Sequence, residues 1–387
     1  MTFPLRLQIR RHLAAPIASD RRSQSTMRCI ASFVVIRNLP TPLRLATKSH
    51  EDCRLAKTSE RLLVKKKDQV LQELPLRRLR TILVNARGVS FSSALIEHCA
   101  SFSVEVLFLD FRERIIHRLS SPAQHQTIES MRGQFRAMDS ETGFLFARQM
   151  VIEKLEAQRR VINYHKRRAE SSEIIETYLS SERASRESLK TKEALQTALA
   201  VGWTQSRRTW MGIEGAAARQ YWAALRSTID ERARFERRES QGAEDLVNSM
   251  LNYGYALLES RVWTAVERAG LHPYGGFLHA DRPGKHSLVL DLMEPWRCII
   301  DDAVFSIISR SKSRLPASFD SRFRKDLLRE VINRFNSIRD YNGKTLPVRE
   351  CMIESARNLG VFFRDDGDLK PFRWDVRGPK KPREEQS

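Results

Sequence analysis

The sequence predicts an α+β protein in which a small N-terminal β-rich domain precedes a larger all-α domain. Short apolar segments bounded by polar turns are concentrated between residues 53 and 121, which is typical of strands. Beyond residue 122 glycine and proline become sparse, and apolar residues recur at helical spacing. A chain of 387 residues is long enough for roughly two or three domains.

The β-rich domain is predicted over residues 53–121. Short apolar strands are predicted at 61–64, 70–74, 81–84 and 104–109. The polar turn 66–69 separates the first two of these strands, so we expect them to pair as a hairpin. Residues 90–99 lie between the last two strands and have the pattern of one short helix.

The helical domain is predicted over residues 122–362. Helices are predicted at 142–190, 251–266, 298–310 and 325–338. The second of these carries a one-sided apolar stripe, which indicates a helix face buried in the core: Leu251, Tyr255, Leu258, Val262 and Val266. The polar, proline-containing segment 363–387 is expected to form a loose tail.

Residues 1–52 form a separate basic N-terminal extension in this prediction. The first 50 residues contain nine Lys/Arg residues and a single acid, Asp20. Residues 1–26 are arginine-rich and poor in acids, as organellar transit peptides are, but they lack a clear apolar stripe. We favour a mobile basic arm ahead of Met27, with a transit peptide as the alternative.

The excess of basic residues indicates a polyanionic partner. Lys and Arg outnumber Asp and Glu by 67 to 47, which gives a formal net charge of +20. An excess of this size is typical of proteins that bind nucleic acid, although charge alone says nothing about catalysis.

Two absences in the sequence limit the class of protein. No uninterrupted apolar run reaches the roughly 18 residues of a transmembrane helix, so none is predicted. The five cysteines are odd in number and contain no CxxC pair, so they predict neither a disulfide framework nor a thiolate zinc site. Such cysteine usage suits a reducing compartment, and we expect a cytoplasmic location.

Three segments carry residues that suit catalysis or metal binding. In the first, Glu214 lies between Gly212 and Gly215, and the small residues that follow predict a helix that opens here. The ordinary interpretation of Glu214 is a solvated acid in the first turn, where the helix dipole favours a negative charge. The alternative is a functional carboxylate.

The second and third segments lie close together in the chain. The Pro/Gly-rich turn 270–276 precedes His279, which by itself would usually be a loop histidine with a hydrogen-bond partner. Further on, an apolar run ends in Asp291 and Glu294, and Pro295 predicts the first turn of a helix. Since Asp-x-x-Glu resembles a capping box, a helix cap and a ligand are equal alternatives for Asp291, whereas a ligand is favoured for Glu294.

Together the three segments offer one imidazole and two or three carboxylates. This set suits Mg²⁺ or Mn²⁺, because carboxylates dominate and thiolates are absent. Zn²⁺ is compatible with the ligand types, but a basic protein that acts on phosphodiesters more often uses Mg²⁺ or Mn²⁺.

The same segments resemble those of one known family. Residues 212–222 read Gly-Ile-Glu-Gly-Ala-Ala-Ala-Arg-Gln-Tyr-Trp, and further similar segments follow in order at 252–258, 276–279 and 287–294. Residues 87–95 also look like the first domain of that family. Over roughly residues 53–370 the chain resembles the CRISPR-associated spacer-acquisition integrases, the Cas1 family.

The resemblance implies a metal-dependent homodimer that works with the small protein Cas2 on double-stranded DNA, and it places the metal site in the helical domain. By motif match it implies that Glu214, His279 and Glu294 are the metal ligands, with Asp291 a neighbouring acid of second rank. His272 and Trp296 depart from the more usual Asp and Phe, and neither departure removes a ligand.

The implied reaction joins the 3′-hydroxyl of a DNA fragment to the repeat DNA of a CRISPR array, with hydrolysis when water replaces the hydroxyl. Basic residues near the motifs are expected to contact phosphates, with a solvated surface position as the equal alternative: Arg219, Arg282, Lys285 and Arg297. Two other functions remain open at this point, a plain metal-dependent nuclease and a non-enzymatic nucleic-acid-binding protein.

Overall fold

The computed structural model describes most of the chain between residues 33 and 370. The described ranges are 33–36, 43–44, 53–66, 69–79, 81–85, 88–102, 104–109, 115–119, 128–240, 242–311, 315–316, 318–365 and 368–370. The predicted basic arm 1–26 and residues 371–387 of the predicted tail lie outside the described residues, as do residues 67 and 68 at the centre of the predicted turn.

Two sheets form the N-terminal part of the described chain. The first contains β1 (Phe33–Ile36), β2 (Leu43–Arg44), β6 (Thr81–Asn85), β8 (Glu105–Leu109) and β9 (Ile115–Leu119). Its strand order is β2-β1-β6-β8-β9. The second contains β3 (Cys53–Thr58), β4 (Arg61–Lys66), β5 (Gln69–Pro75) and β7 (Val89–Phe91). Its strand order is β5-β4-β3-β7.

The predicted hairpin is confirmed, since β4 and β5 pair antiparallel with Leu62 opposite Leu74. The strands predicted at 81–84 and 104–109 correspond to β6 and β8, which pair in parallel. The predicted helix begins later than expected, because residues 89–91 form a strand beside β3. Helix α1 (Ser93–Ser101) starts after Ser92, whose side chain accepts a hydrogen bond from the N–H of Leu95.

Part of the predicted N-terminal extension lies in the first sheet. Strand β1 pairs antiparallel with both β2 and β6, and Val35 lies opposite Leu83. Residues 33–36 therefore cover the side of β6 that would otherwise be an open sheet edge.

Alternating side chains of the first sheet contribute to two cores. Ile82 and Val106 pack in the core shared with the second sheet. Leu83 and Leu107, one position further along each strand, pack in the core of the helical part. Because successive side chains of a strand point to opposite faces, this sheet joins the two halves of the protein.

The remainder of the described chain is mostly helical. Its helices are α2 (Ile128–Ala137), α3 (Glu141–His165), α4 (Ser172–Lys190), α5 (Lys192–Arg226), α6 (Leu246–Arg268), α7 (Ser287–Met293), α8 (Arg297–Arg310), α9 (Ser321–Asn336) and α10 (Val348–Asp365). The helices predicted from the sequence correspond to α3 and α4, to α6, to α8 and to α9, and the apolar stripe of α6 is buried as expected. Among the described helices, none has the length and apolar character that crossing a bilayer requires.

The helical part also contains a feature that the all-α prediction missed. Strands β10 (Ile338–Tyr341) and β11 (Lys344–Pro347) pair as an antiparallel hairpin. The turn residues Asn342 and Gly343 have φ angles of 53° and 73°, which a type I′ turn requires. Asn-Gly is a strong hairpin signal, so the sequence did contain the information. The predicted tail also starts too early, because α10 continues to Asp365 and buries Phe363.

A buried polar cluster fastens the first sheet to the helical part. Arg118 of β9 pairs with Glu105 of β8, with 2.9 Å between Nη1 and Oε1. The same guanidinium donates hydrogen bonds to the carbonyl of Ser260 and to the hydroxyl of Thr264, both on α6. Buried charges are stable only when they are paired and hydrogen-bonded, so this cluster fixes where the sheet sits on α6.

Candidate active site

Three parts of the helical region meet at one cluster of charged side chains. Glu214 comes from α5, and Glu294 lies in the short 3₁₀ helix 294–296 that follows α7. Lys154 comes from α3, and its Nζ lies 2.5 Å from Glu214 Oε1 and 2.5 Å from Glu294 Oε2. Two of the predicted ligands are therefore brought together, with an ammonium group between them that the sequence analysis did not anticipate.

The predicted local structure around Glu214 is wrong. Helix α5 does not open there but begins at Lys192, breaks at Gly202 (φ 76°, ψ 174°) and continues through Glu214. The carboxylate thus lies in a helix interior, where its side chain is 22% exposed and paired with Lys154. The solvated first-turn interpretation of Glu214 does not apply.

Glu294 is almost fully buried, with 4% of its side chain exposed. Burial alone would raise the pKa of this carboxyl, but the charges of Arg297, Lys154 and His279 outweigh burial and lower the pKa to about 2. Arg297 contributes directly, since its Nε donates to Glu294 Oε1 at 3.1 Å. The surrounding positive charges therefore favour the ionised form of Glu294.

His279 is held by Asp291, which is not a helix cap. Asp291 lies inside α7 with no exposed side-chain surface, and its Oδ1 lies 2.7 Å from His279 Nδ1. The backbone N–H of His279 donates to the same oxygen at 2.8 Å. This contact directs the other ring nitrogen towards Glu294, with 4.0 Å between His279 Nε2 and Glu294 Oε1.

Asp291 also organises the backbone before His279. Its Oδ2 accepts hydrogen bonds from the N–H groups of Phe277, at 2.6 Å, and Leu278, at 3.1 Å. Together the two oxygens of Asp291 accept four hydrogen bonds, so this buried polar group has its partners. The Asp-x-x-Glu spacing predicted a choice between cap and ligand, whereas the tertiary structure shows that Asp291 orients the histidine.

Residues 269–286 connect α6 to α7 and carry His279, and we call this segment the histidine loop. Two side chains from α2 and α5 support it. The amide of Gln134 on α2 donates to the carbonyls of His272, at 3.0 Å, and Gly275, at 2.7 Å, and it accepts from the N–H of His272 at 2.7 Å. Arg207 on α5 donates to the carbonyl of Phe277 at 2.5 Å. The first half of the loop, from His272 to Phe277, is thus anchored by long-range hydrogen bonds.

The loop also passes unusually close to α7. A Cβ atom placed on Gly276 would lie 2.3 Å from the Cβ of Ser287 and 2.8 Å from the carbonyl oxygen of His279. Ser287 is fully buried and the His279 oxygen belongs to the backbone, so neither atom can easily move away. Only glycine fits at this position.

The residues present fit a hard divalent cation. Glu214, Glu294 and His279 supply two carboxylates and an imidazole whose Nδ1 is already engaged, which is a common arrangement for metal-binding histidines. Glu294 Oε2 is buried and, within the described part of the chain, makes no hydrogen bond of acceptable geometry, so its contact with Lys154 is an ion pair. An incompletely satisfied buried carboxylate oxygen is suited to coordinate a metal.

The site is not arranged as a finished metal cluster. Among the described residues, no group of three or more His, Cys, Asp and Glu side chains is close enough to hold an ion as it stands. The ammonium of Lys154 lies in the position between the two glutamates.

The four basic residues predicted to contact phosphates occupy different surroundings. Arg219 on α5 and Arg282 in the histidine loop are exposed, and Lys285 lies half-buried at the end of the turn that starts at Arg282. Arg297 instead contacts groups within the protein. It forms an ion pair with Glu294, and its guanidinium lies 4.9 Å from the ring centre of Tyr255. The first three can reach a phosphate from solvent, whereas Arg297 primarily fixes Glu294.

Sequence reasoning missed Lys154, Gln134 and Arg207. A usable signal existed only for Lys154, which lies three residues from each of the buried residues Val151 and Ala157 of α3. A lysine on an apolar helix face predicts a buried acidic partner. The partners of Gln134 and Arg207 are backbone carbonyls distant in sequence, and no pattern predicts them.

The comparisons with known proteins agree with this architecture. The family described as CRISPR associated protein Cas1 matches residues 49–335. The CRISPR-associated endonuclease Cas1 1 of Francisella tularensis subsp. novicida is 32% identical over 319 residues, which cover 82% of this chain and 95% of that protein.

Two solved structures share the fold. One, described as a casposase bound to integration product, has a TM-score of 0.67 and 22% identity, and the match covers 82% of this chain and 90% of that chain. The other, from a Cas6-RT-Cas1–Cas2 complex, has a TM-score of 0.64 and 19% identity, and the match covers 83% of this chain and 35% of that chain. With the family match over most of its length, this chain belongs to the CRISPR-associated Cas1 protein family.

Proposed function

We propose that the protein is a divalent-metal-dependent DNA endonuclease and integrase of CRISPR adaptation. Its substrates are short foreign DNA fragments, whose 3′-hydroxyl ends it joins to the CRISPR repeat by transesterification. Membership of the Cas1 family supports this function, as does the similar fold of a casposase described as bound to an integration product. The observation that carries the proposal is the meeting of Glu214, Glu294 and His279 at one charged cluster.

In this proposal Glu214, His279 and Glu294 hold Mg²⁺ or Mn²⁺, which would supply stabilisation of the charge that develops on a phosphoryl oxygen. Asp291 keeps Nδ1 of His279 engaged, so that Nε2 is the nitrogen available for coordination. Arg297 holds the Glu294 carboxylate in place from the other side. These contacts orient the ligands before substrate binds, which is what an active site requires of its supporting residues.

The proposed chemistry uses no protein nucleophile. The oxygen of the fragment's 3′-hydroxyl forms a new bond to phosphorus, while the bond from phosphorus to the 3′-oxygen of the repeat strand breaks. The nearby Tyr255 is unsuited to a covalent role, because its buried hydroxyl donates to Asp301 at 2.5 Å. Burial and the Asp301 charge raise the pKa of Tyr255 well above its ordinary value, which further disfavours a nucleophilic phenolate.

The proposed partners are double-stranded DNA, a second copy of this chain and Cas2. A chain of similar fold occurs in the solved Cas6-RT-Cas1–Cas2 complex, which supports the Cas2 assignment. The net charge of +20 favours binding to the DNA backbone, and Arg219, Arg282 and Lys285 are the proposed phosphate contacts beside the site.

The test is strand transfer with a half-integrated DNA substrate that carries a labelled 3′-hydroxyl fragment. Purified protein is assayed with Cas2 in Mn²⁺, in Mg²⁺ and in EDTA. We expect joined product only with metal, and a loss of at least about 100-fold in Glu214→Gln and in His279→Ala, since each removes a ligand. Glu193→Gln is the matched control, because Glu193 is an exposed acid in the first turn of the same helix as Glu214.

The alternatives give different results in the same assay. Metal-dependent cleavage without any joining, even with Cas2, would identify a plain nuclease. DNA binding with no metal-dependent chemistry would identify a non-enzymatic binding protein. Full activity of Glu214→Gln would contradict the proposed ligand set.

A further inference from the structure

The ammonium of Lys154 occupies the space between two carboxylates that are proposed to bind metal. We propose that Lys154 is a built-in counter-ion, which neutralises Glu214 and Glu294 in the metal-free protein and competes with the divalent cation for them. This inference rests on the proposed metal-dependent function and adds a residue that tunes how strongly the metal binds.

The contacts show why a counter-ion is needed. Because each glutamate oxygen lies 2.5 Å from Lys154 Nζ, the two carboxylate oxygens are within about 5 Å of each other. Glu294 is 4% exposed and Glu214 is 22% exposed, so water screens their repulsion poorly. An ammonium between them adds two attractions that offset this repulsion.

The glutamates differ in how much they depend on Lys154. Glu294 has a second cationic partner, Arg297, whose Nε lies 3.1 Å from its Oε1. In the described part of the chain, the only ion pair of Glu214 is the one with Lys154. A metal ion that binds both glutamates must therefore displace the sole cation that holds Glu214.

Lys154 is built to move aside without disturbing the helix that carries it. The neighbouring residues Val151 and Leu155 have no exposed surface, so the backbone of α3 is fixed in the core. The lysine side chain is a flexible four-carbon stem and is 13% exposed, so its ammonium can turn towards solvent. Displacement thus costs two ion pairs, one with each glutamate, and a change of rotamer. This cost lowers the affinity of the site for metal.

The experiment measures Mn²⁺ binding by isothermal titration calorimetry in the absence of DNA. Lys154→Met keeps the length and apolar stem of lysine and removes the charge. We expect its dissociation constant for Mn²⁺ to fall by at least about tenfold, because the competing cation is gone. We also expect its melting temperature without metal to fall, and Mn²⁺ to raise that temperature by more than it does for the unaltered protein.

The matched control is Lys190→Met, which removes a lysine from an ion pair with Glu156 at 2.8 Å, away from the site. Its affinity for Mn²⁺ should stay within about twofold of the unaltered protein, because long-range charge effects are screened. Lys154→Gln is a second, polar variant for the case in which Lys154→Met does not fold, and the same gain in affinity is expected.

The outcomes separate this inference from the proposed function. If the unaltered protein binds Mn²⁺, Glu214→Gln abolishes binding and Lys154→Met binds no more tightly, the counter-ion role is overturned while the metal site stands. If neither the unaltered protein nor Lys154→Met binds Mn²⁺, both proposals fail. A tighter Mn²⁺ complex in Lys154→Met confirms competition, since a merely structural lysine would not improve metal binding when removed.

Discussion

Replacing Asp291 with asparagine should both destabilise the protein and disorganise the histidine loop. Asp291 has no exposed side-chain surface and accepts from four donors. These donors are the backbone N–H groups of Phe277, Leu278 and His279 and the ring Nδ1–H of His279. In Asp291→Asn one of the two acceptor oxygens becomes an NH₂ group, which cannot accept from an N–H.

The expected cost follows from the number of donors that lose their acceptor. Each carboxylate oxygen accepts from two donors, so at least two buried N–H groups lose their partner whichever way the amide turns. A buried polar group left without a partner costs about 1–3 kcal/mol. We therefore expect a loss of about 3 kcal/mol in the free energy of unfolding, measured by urea denaturation.

A second readout follows the histidine. With Nδ1 no longer held by a carboxylate, His279 should be poorly oriented, and the affinity for Mn²⁺ should fall by about 10–100-fold. Asp281→Asn is the matched control in the same loop, because Asp281 is exposed and its Oδ1 accepts from a single N–H, that of Gly276, at 3.0 Å. An asparagine can replace that contact, so this variant should lose less than about 1 kcal/mol.

An Asp291→Asn protein that loses less than about 1 kcal/mol and binds Mn²⁺ as tightly as the unaltered protein would refute this role of Asp291. Loss of metal affinity with unchanged stability would also contradict it. That pattern would indicate a direct ligand instead of a residue that supports the loop.

Two further predictions concern residues around the site. Burial raises the pKa of Asp301 from 3.8 to about 6, because it outweighs the hydrogen bonds from tyrosines and the arginine charges that lower it. The protonated carboxyl therefore stabilises the fold fully below about pH 4, and this stabilisation is lost as the pH rises through 6. Between pH 5 and pH 7.5 the unaltered protein should therefore lose about 1 kcal/mol more unfolding free energy than Asp301→Asn does, and parallel pH profiles in urea denaturation would contradict this. Gly276→Ala should cost about 1–3 kcal/mol in the same assay and weaken Mn²⁺ binding, because its Cβ would collide with Ser287, 2.3 Å away. The control is Gly212→Ala, which should not destabilise the protein because a Cβ at that position meets open space. Gly242→Ala is unsuitable as a control, because the positive φ of Gly242 would itself strain an alanine.

Much of the fold was predictable because its signals are local. The β4–β5 hairpin follows from two apolar strands on either side of a polar turn, and α6 follows from an apolar stripe that recurs at helical spacing. The β10–β11 hairpin was not predicted, although the Asn342-Gly343 pair is a strong signal for a two-residue hairpin turn. The start of α5 was placed wrongly because Gly212 and Gly215 suggested a boundary, whereas the actual break is at Gly202.

The sequence by itself determined the family and the types of side chain at the site, because the segments around Glu214, His279 and Glu294 are each short and continuous. Only the tertiary structure decided what those side chains contact. Lys154 lies between the two glutamates and Asp291 holds the histidine, and both facts depend on how α3, α5 and α7 pack together. The energy of a buried charge is set by the groups within a few ångströms of it in space, and distance along the chain does not determine which groups those are.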